Sequence, residues 1–289
     1  MVLYHLIDGF FLGGLYVTIA LGLTLVFGVM NTVNLAQGEV LIGSAYLTYT
    51  LASLTHLDPL LCLLLVAPIM FVIGYLVQRL LLNPLIPRGQ ETLLVATFGL
   101  LLVAETLFGL IYGNNTLSLS ASYTLTGVTI FGDTVRTIYV IALAAALLLV
   151  VGTHLLMTYL PLGKAIRAAA EDPGAAASIG INVPLVYGIT FGLAAAISAV
   201  GGTLIGLSFG FGPTSGSSWL LRSFTVIVLG GMGSLWGTLL GGLLIGVLEE
   251  VAASIVGPQF RDLIVFAFLV IVLIVRPEGF FGQRVGVAK

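Results

Sequence analysis

Charge is scarce in this chain. Of its 289 residues 8% are Asp, Glu, Lys or Arg, against 59% that are hydrophobic. An ordinary soluble domain carries roughly 25% charged residues, so water is not the main solvent of this surface. No long polar segment remains that could build a second core, and residues 1–289 read as one integral-membrane domain. Cysteine is nearly missing too: Cys62 stands alone in an apolar run, which excludes a disulfide framework and a cysteine metal site and leaves it a small core residue. His5, His56 and His154 lie near the ends of apolar runs with no His or carboxylate at helical ligand spacing, so no metal is assigned. There is no GxxxxGK[ST] phosphate loop, so the chain does not bind and hydrolyse ATP by that route and needs no cofactor of its own. The HExxH helix and a GxSxG elbow with suitable partners are also missing, which makes a membrane hydrolase a poor fit. A net charge of -2 gives no signal for nucleic acid. No Lys or Arg precedes the apolar stretch beginning near Gly9 and no small-residue cleavage site follows, so a first span is expected there rather than a cleaved signal peptide.

What is present is hydrocarbon in lengths that match a bilayer. Mean hydropathy is +1.18, and a core of roughly 30 Å needs about 20 apolar residues as helix. Runs near Gly9 to Val29, Val40 to Thr55, Leu60 to Leu82, Thr92 to Tyr112, Thr137 to Tyr159 and Pro184 to Ser208 give six spans. Trp219 to Gly231 and Leu263 to Val275 are short, and Leu235 to Val256 is full length. The expected fold is all-α: a polytopic transmembrane bundle of eight or nine elements, some short or broken.

One polar island interrupts it. Residues 160–182 hold Lys164, Arg167, Glu171 and Asp172, and helical spacing puts the first three on one face. Asp172 is an N-cap, Pro173 suits the first helical position, and Gly180 suits a left-handed stop. The expectation is two short helices joined at Glu171-Asp172 outside the bilayer, either docking a soluble partner or merely solvated. Seven of the ten basic residues agree on orientation. Arg79 and Arg88, Lys164 and Arg167, and Arg276, Arg284 and Lys289 mark three regions as cytoplasmic, with the amino terminus outside. Arg136, near Asp133, Arg261, beside Asp262, and Arg222 are the exceptions.

Two breaks fall within the hydrophobic pattern. Residues 31–39, with Asn31, Asn34, Gln37, Gly38 and Glu39, are too short for an ordinary loop. Irregular backbone at membrane depth must be buried in protein or line a wet cavity, so this is either a wall of a transport pathway or a capped interfacial turn with Glu39 favouring a helix N-terminus. The second break holds Gly230, Gly231 and Gly233, with Gly237, Gly241 and Gly242 behind them. Such density either unwinds the helix or allows backbone-to-backbone packing. VFGVMNT from Val26 and VLGGMGS from Val228 share three of seven positions, a faint trace of internal duplication. Ionisable residues within spans are costly and therefore informative. Glu105, Arg222, Glu249 and Glu250 qualify, with Arg222 expected to pair with Glu249 or Glu105.

Four stretches in order carry a family resemblance: GLTLVFGVMNTVNLAQGEVLIGSAY from Gly22, GKAIRAAAEDPGAAASIGIN from Gly163, VLGGMGSLWGTLLGGLLIG from Val228 and RPEGFFG from Arg276. Over nearly its whole length the chain resembles the LivH-type permease subunits of branched-chain amino acid ABC importers. The resemblance implies an inner-membrane protein that pairs with a second, LivM-like permease, two cytoplasmic ATPases that bind the ATP, and an extracytoplasmic substrate-binding protein. It implies that residues 160–182 dock on an ATPase through Arg167, Glu171 and Asp172, and that Asn31, Asn34, Gln37, Gly38 and Glu39 line or gate the pathway. Similar permeases carry urea, short amides or aromatic acids. Outside this architecture stand a gradient-driven transporter or channel using the membrane carboxylates, and a membrane scaffold.

Overall fold

In hydrocarbon each peptide group must find its partner within its own segment, and these apolar runs do so as helices. The computed structural model describes residues 2–130 and 133–275. In order they form α1 (Val2–Met30), α2 (Gln37–Thr55), α3 (Pro59–Val77), α4 (Gln90–Tyr112), β1 (Gly127–Ile130), β2 (Asp133–Arg136), α5 (Thr137–Tyr159), α6 (Pro161–Glu171), α7 (Pro173–Ser178), α8 (Val183–Ser208), α9 (Ser215–Gly230), α10 (Leu235–Val256) and α11 (Arg261–Val275). Past Val77, α3 continues through a π-helical turn, Gln78–Leu82, and a 3₁₀ stretch, Asn83–Arg88. Among the described residues six helices are long and apolar enough to cross a membrane: α1, α3 with its continuation, α4, α5, α8 and α10. With the shorter α2, α9 and α11 they make nine membrane elements, a polytopic helical bundle. The run expected over Val40 to Thr55 is carried by α2, which is 19 residues long like α3 but opens on the polar Gln37-Gly38-Glu39 and starts inside the bundle; the full-length run expected over Leu235 to Val256 is α10.

Helices α1 and α8 are the most buried of the spans and form the centre. Antiparallel α1 and α10 meet along a glycine seam: a Cβ on Gly246 would fall 2.4 Å from the Gly13 nitrogen, and one on Gly13 would fall 2.6 Å from the Leu243 Cα. Helix α3 closes on α8 where Gly74 faces Ala195, 2.7 Å from a built Cβ. Outermost is α4, of which only Leu93, Thr97 and Leu101 are buried.

The two ends of the bundle differ. One carries α6 and α7 together with Arg79, Arg88, Lys164 and Arg167; Asn83 Nδ2 donates to the Pro184 carbonyl (2.9 Å) and Gln90 Nε2 to that of Asn31 (3.3 Å), tying the connections together. The other carries Arg136, Arg222, Arg261 and a two-stranded antiparallel hairpin, β1–β2, with Val128 opposite Val135. Its alternating β-branched residues are legible in Gly127 to Arg136 but were not expected as strand. Nearby, Tyr123 donates to Asp58 Oδ1 (2.7 Å), and burial together with that bond pushes the phenol well above its ordinary range, so it remains a donor. The RPEGFFG signature, with Arg284 and Lys289, lies outside the described residues.

Candidate translocation and coupling site

The first break is built from side-chain amides. Helix α1 ends at Met30, and Asn31 takes the left-handed conformation, φ 50°, that Asn tolerates better than other residues with a Cβ. Asn31 is exposed; Asn34, Gln37 and Glu39 are buried. Asn34 Oδ1 accepts from the Ala36 N–H (3.1 Å) and its Nδ2 donates to Gln37 Oε1 (3.1 Å). Gln37 Nε2 then donates to Ser198 Oγ (2.7 Å), and the Ser198 hydroxyl donates to the Ala194 carbonyl (2.8 Å). Ser198 stands in the middle of α8, which fixes the start of α2 inside the bundle. An interfacial capped turn does not fit this geometry: the N-cap of α2 is Ala36, with no side-chain cap. Beyond it Gly38 packs on α9, where a Cβ would meet the Gly216 carbonyl at 2.1 Å. Glu39 is 3% exposed, and neither carboxyl oxygen has a hydrogen-bond partner.

At the second break both readings of the glycines hold. The helix stops: α9 ends at Gly230, Gly231 and Gly233 have φ of 85° and 84°, and Ser234 Oγ caps α10 by accepting from Gly237 N–H (3.1 Å). The backbones also touch, since a Cβ on Gly237 would lie 1.8 Å from the Gly230 carbonyl oxygen and one on Gly28 3.0 Å from the Gly233 Cα. In the VFGVMNT and VLGGMGS alignment Asn31 matches Gly233, and both are left-handed. The last turn of α1, just before the first break, thus meets the second break at Gly28 and Gly233, close to a hydroxyl pair, Thr24 and Thr238, 2.6 Å apart.

The polar island lies over that meeting point. Its two helices join at Glu171-Asp172, with Asp172 Oδ1 accepting from the Gly174 and Ala175 N–H groups (2.8 and 3.0 Å). Gly180 is left-handed, φ 91°, and Asn182 Oδ1 caps α8 (3.1 Å from Leu185 N). Lys164, Arg167, Glu171, Asp172 and Pro173 are exposed, while Gly163, Ile166 and Ala169 turn inward. Under α6 a cavity of about 200 Å³ is lined by Ile166, Arg167, Thr24, Gly28, Gly233 and Leu235. One short amphipathic helix therefore faces, across this cavity, the end of α1 and the second break.

The intramembrane charges pair differently from expectation. Arg222 bonds Asp262 at the start of α11 and lies over the Trp219 ring, 4.9 Å from its centre. It does not pair with Glu249 or Glu105, because Glu249 turns inward to accept from the Tyr16 hydroxyl of α1 (2.5 Å). Glu250 takes Arg261 (2.9 Å), with His5 Nδ1 at 3.8 Å. Arg261 and Asp262, expected to neutralise each other, serve different helices. Glu105 makes no ion pair among the described residues. Tyr16, Ser198, Gly216 and Asp262 all belong to the site or its supports and were missed. Tyr16 and Ser198 are isolated polar residues within apolar spans, and that was the available signal.

A bundle of apolar, membrane-length helices with two breaks inside it and an amphipathic helix across one end is that of a polytopic integral-membrane protein. Residues 5–273 match the family model described as branched-chain amino acid transport system / permease component, and the chain belongs to that family. It is 34% identical to the high-affinity branched-chain amino acid transport system permease protein BraD of Pseudomonas aeruginosa, covering 97% of this chain and 96% of that one. It is 29% identical to LivH of Escherichia coli over the same shares, and 29% identical to LivM of Escherichia coli over 51% of this chain and 34% of that one. No solved structure matches.

Proposed function

We propose that this chain is a pathway-forming subunit of an ATP-driven importer for branched-chain amino acids, with ATP bound on partner chains. What supports the reading most is the cavity under α6, which Ile166 and Arg167 line together with Gly28 of α1 and Gly233 of the second break. A push on the exposed Lys164, Arg167, Glu171 and Asp172 face reaches α1, against which α6 packs, and through that cavity bears on the second break. Basic residues at the α6 end favour the cytoplasmic side, which gives the inner membrane as the location and puts the ATPases there. A second permease, LivM-like, completes the pathway, and a binding protein delivers substrate at the hairpin end. ATPase closure shifts the bundle between two states by binding them differently. The test is uptake of labelled leucine, with urea in parallel, into proteoliposomes holding this chain and its partner subunits. Leucine uptake should require ATP and fall at least tenfold in Glu171→Lys with the complex still assembled. Urea uptake in place of leucine would change the cargo, and flux through this chain alone without ATP would overturn the coupling role.

A further inference from the structure

Glu39 is a buried acid with nothing to hold. Both of its carboxyl oxygens are out of contact with solvent and without a hydrogen-bond donor, a state that costs free energy unless a partner arrives. Its position at the third residue of α2 lets the helix dipole ease a negative charge but supplies no bond. The ionisable residue nearest in influence, Glu105 on α4, is acidic as well. No cation of this chain therefore answers Glu39 among the described residues.

Glu39 is also the one acid in the wall of a cavity. A cavity of about 280 Å³ opens beside it between α2, α3, α4 and α8, with walls that include Val40, Leu47, Met70, Leu100, Phe108 and Phe191. Ligand pockets for drug-sized molecules run roughly 300–1,000 Å³, so this one suits a smaller guest. Every other lining residue is apolar or glycine. Against the carboxyl group also lies the first turn of α9: a Cβ on Gly216 would be 2.0 Å from Glu39 Oε1, and α9 has no side-chain cap. An acidic oxygen pair and the positive end of a helix thus stand side by side next to an aliphatic cavity.

The geometry points to Glu39 as the group that binds the ammonium of an aliphatic amino acid in transit, with the branched side chain in the α2–α3–α4–α8 cavity and the uncapped turn of α9 beside its carboxylate. This rests on the importer reading above, to which it adds where the cargo is held and by which atom. Of the cavity walls α4 is the least buried, and it meets α2 through Phe108 and Tyr112 against Gly43 and Tyr46.

The test uses the assembled permease and ATPase complex in nanodiscs without the binding protein, and measures labelled leucine binding by scintillation proximity. On wild type, 3-methylbutylamine should displace leucine while 4-methylpentanoate, which lacks the ammonium, should be at least tenfold weaker. Glu39→Gln should weaken leucine binding tenfold or more, and Ala104→Phe, which fills the cavity from α4, should do the same without touching the acid. Equal displacement by amine and acid, undiminished binding in Glu39→Gln, or no binding to wild type would each overturn the site; the competition series needs no variant to fold. Uptake by the complete wild-type system separates the two claims: with leucine uptake intact and binding independent of Glu39 only the site falls, and without leucine uptake the cargo reading falls first.

Discussion

Glycine at position 237 touches the Gly230 carbonyl more closely than any side chain allows, whereas Gly99, on the outer face of α4, has nothing within 4 Å of a built Cβ. The same substitution should therefore have opposite outcomes. In Gly99→Ala the helix gains propensity, about 0.8–1 kcal/mol in an isolated peptide, and melting in detergent should stay level or rise. In Gly237→Ala the α9–α10 contact must open, and overpacking of this kind costs typically 1–3 kcal/mol. Its melting temperature should fall by several degrees, and equal melting of the two variants would show that the glycine contact carries no stability. Polar residues follow a similar contrast. Tyr16 and Glu249 satisfy one another deep between α1 and α10, but the Arg222–Asp262 pair leaves Asp262 59% exposed, and exposed pairs contribute about 0–1 kcal/mol at most.

Among the elements, α7 depends most on one residue. It is six residues long and mostly exposed, and Asp172 supplies two of the bonds that start it. Removing such a cap costs typically ~1 kcal/mol. In Asp172→Ala, amide exchange across Gly174 to Ser178 should speed up roughly fivefold, with α10 unchanged; unaltered exchange in α7 would mean that tertiary contacts and not the cap hold it. The island was legible because its signals are local: Asp-Pro for a start, Gly180 for a stop, charge on one face. The position of the two breaks was legible for the same reason, through Asn31 and Gly231. Depth was not. That α2 begins inside the bundle follows from Gln37 reaching Ser198, 161 residues away, and no local pattern encodes that distance. Arg222 was assigned to Glu249 or Glu105 by depth alone, whereas the choice of Asp262 depends on how α11 returns against α9. The β1–β2 hairpin was passed over because four-residue alternation is faint beside hydrophobic runs of twenty.

For the whole molecule, segregation of charge fixes what must be tested first. Arg79, Arg88, Lys164 and Arg167 share one end, while at the other end Arg222 and Arg261 meet carboxylates and Arg136 lies 5.7 Å from the centre of the Tyr139 ring. With Cys62 buried, single cysteines can report orientation against a quiet background. In a Cys62→Ala chain, Leu125→Cys, 96% exposed at the hairpin end, should react with an impermeant maleimide added outside intact cells. Ile179→Cys, 77% exposed beside α7, should react only after permeabilisation. The reverse pattern would invert the bundle and remove the ATPase-docking role of the island.

The seam between α1 and α10 also sets a problem of timing during synthesis. Tyr16 and Glu249 are 233 residues apart, and at about 5–20 residues per second the ribosome takes roughly 10–50 seconds to cover that distance. For that interval the glycine face of α1, shaped to take a backbone at van der Waals distance, meets lipid or another chain instead. Whatever occupies Gly9 and Gly13 in the nascent protein must leave when Gly242 and Gly246 arrive, so the first helix inserted is among the last to find its place.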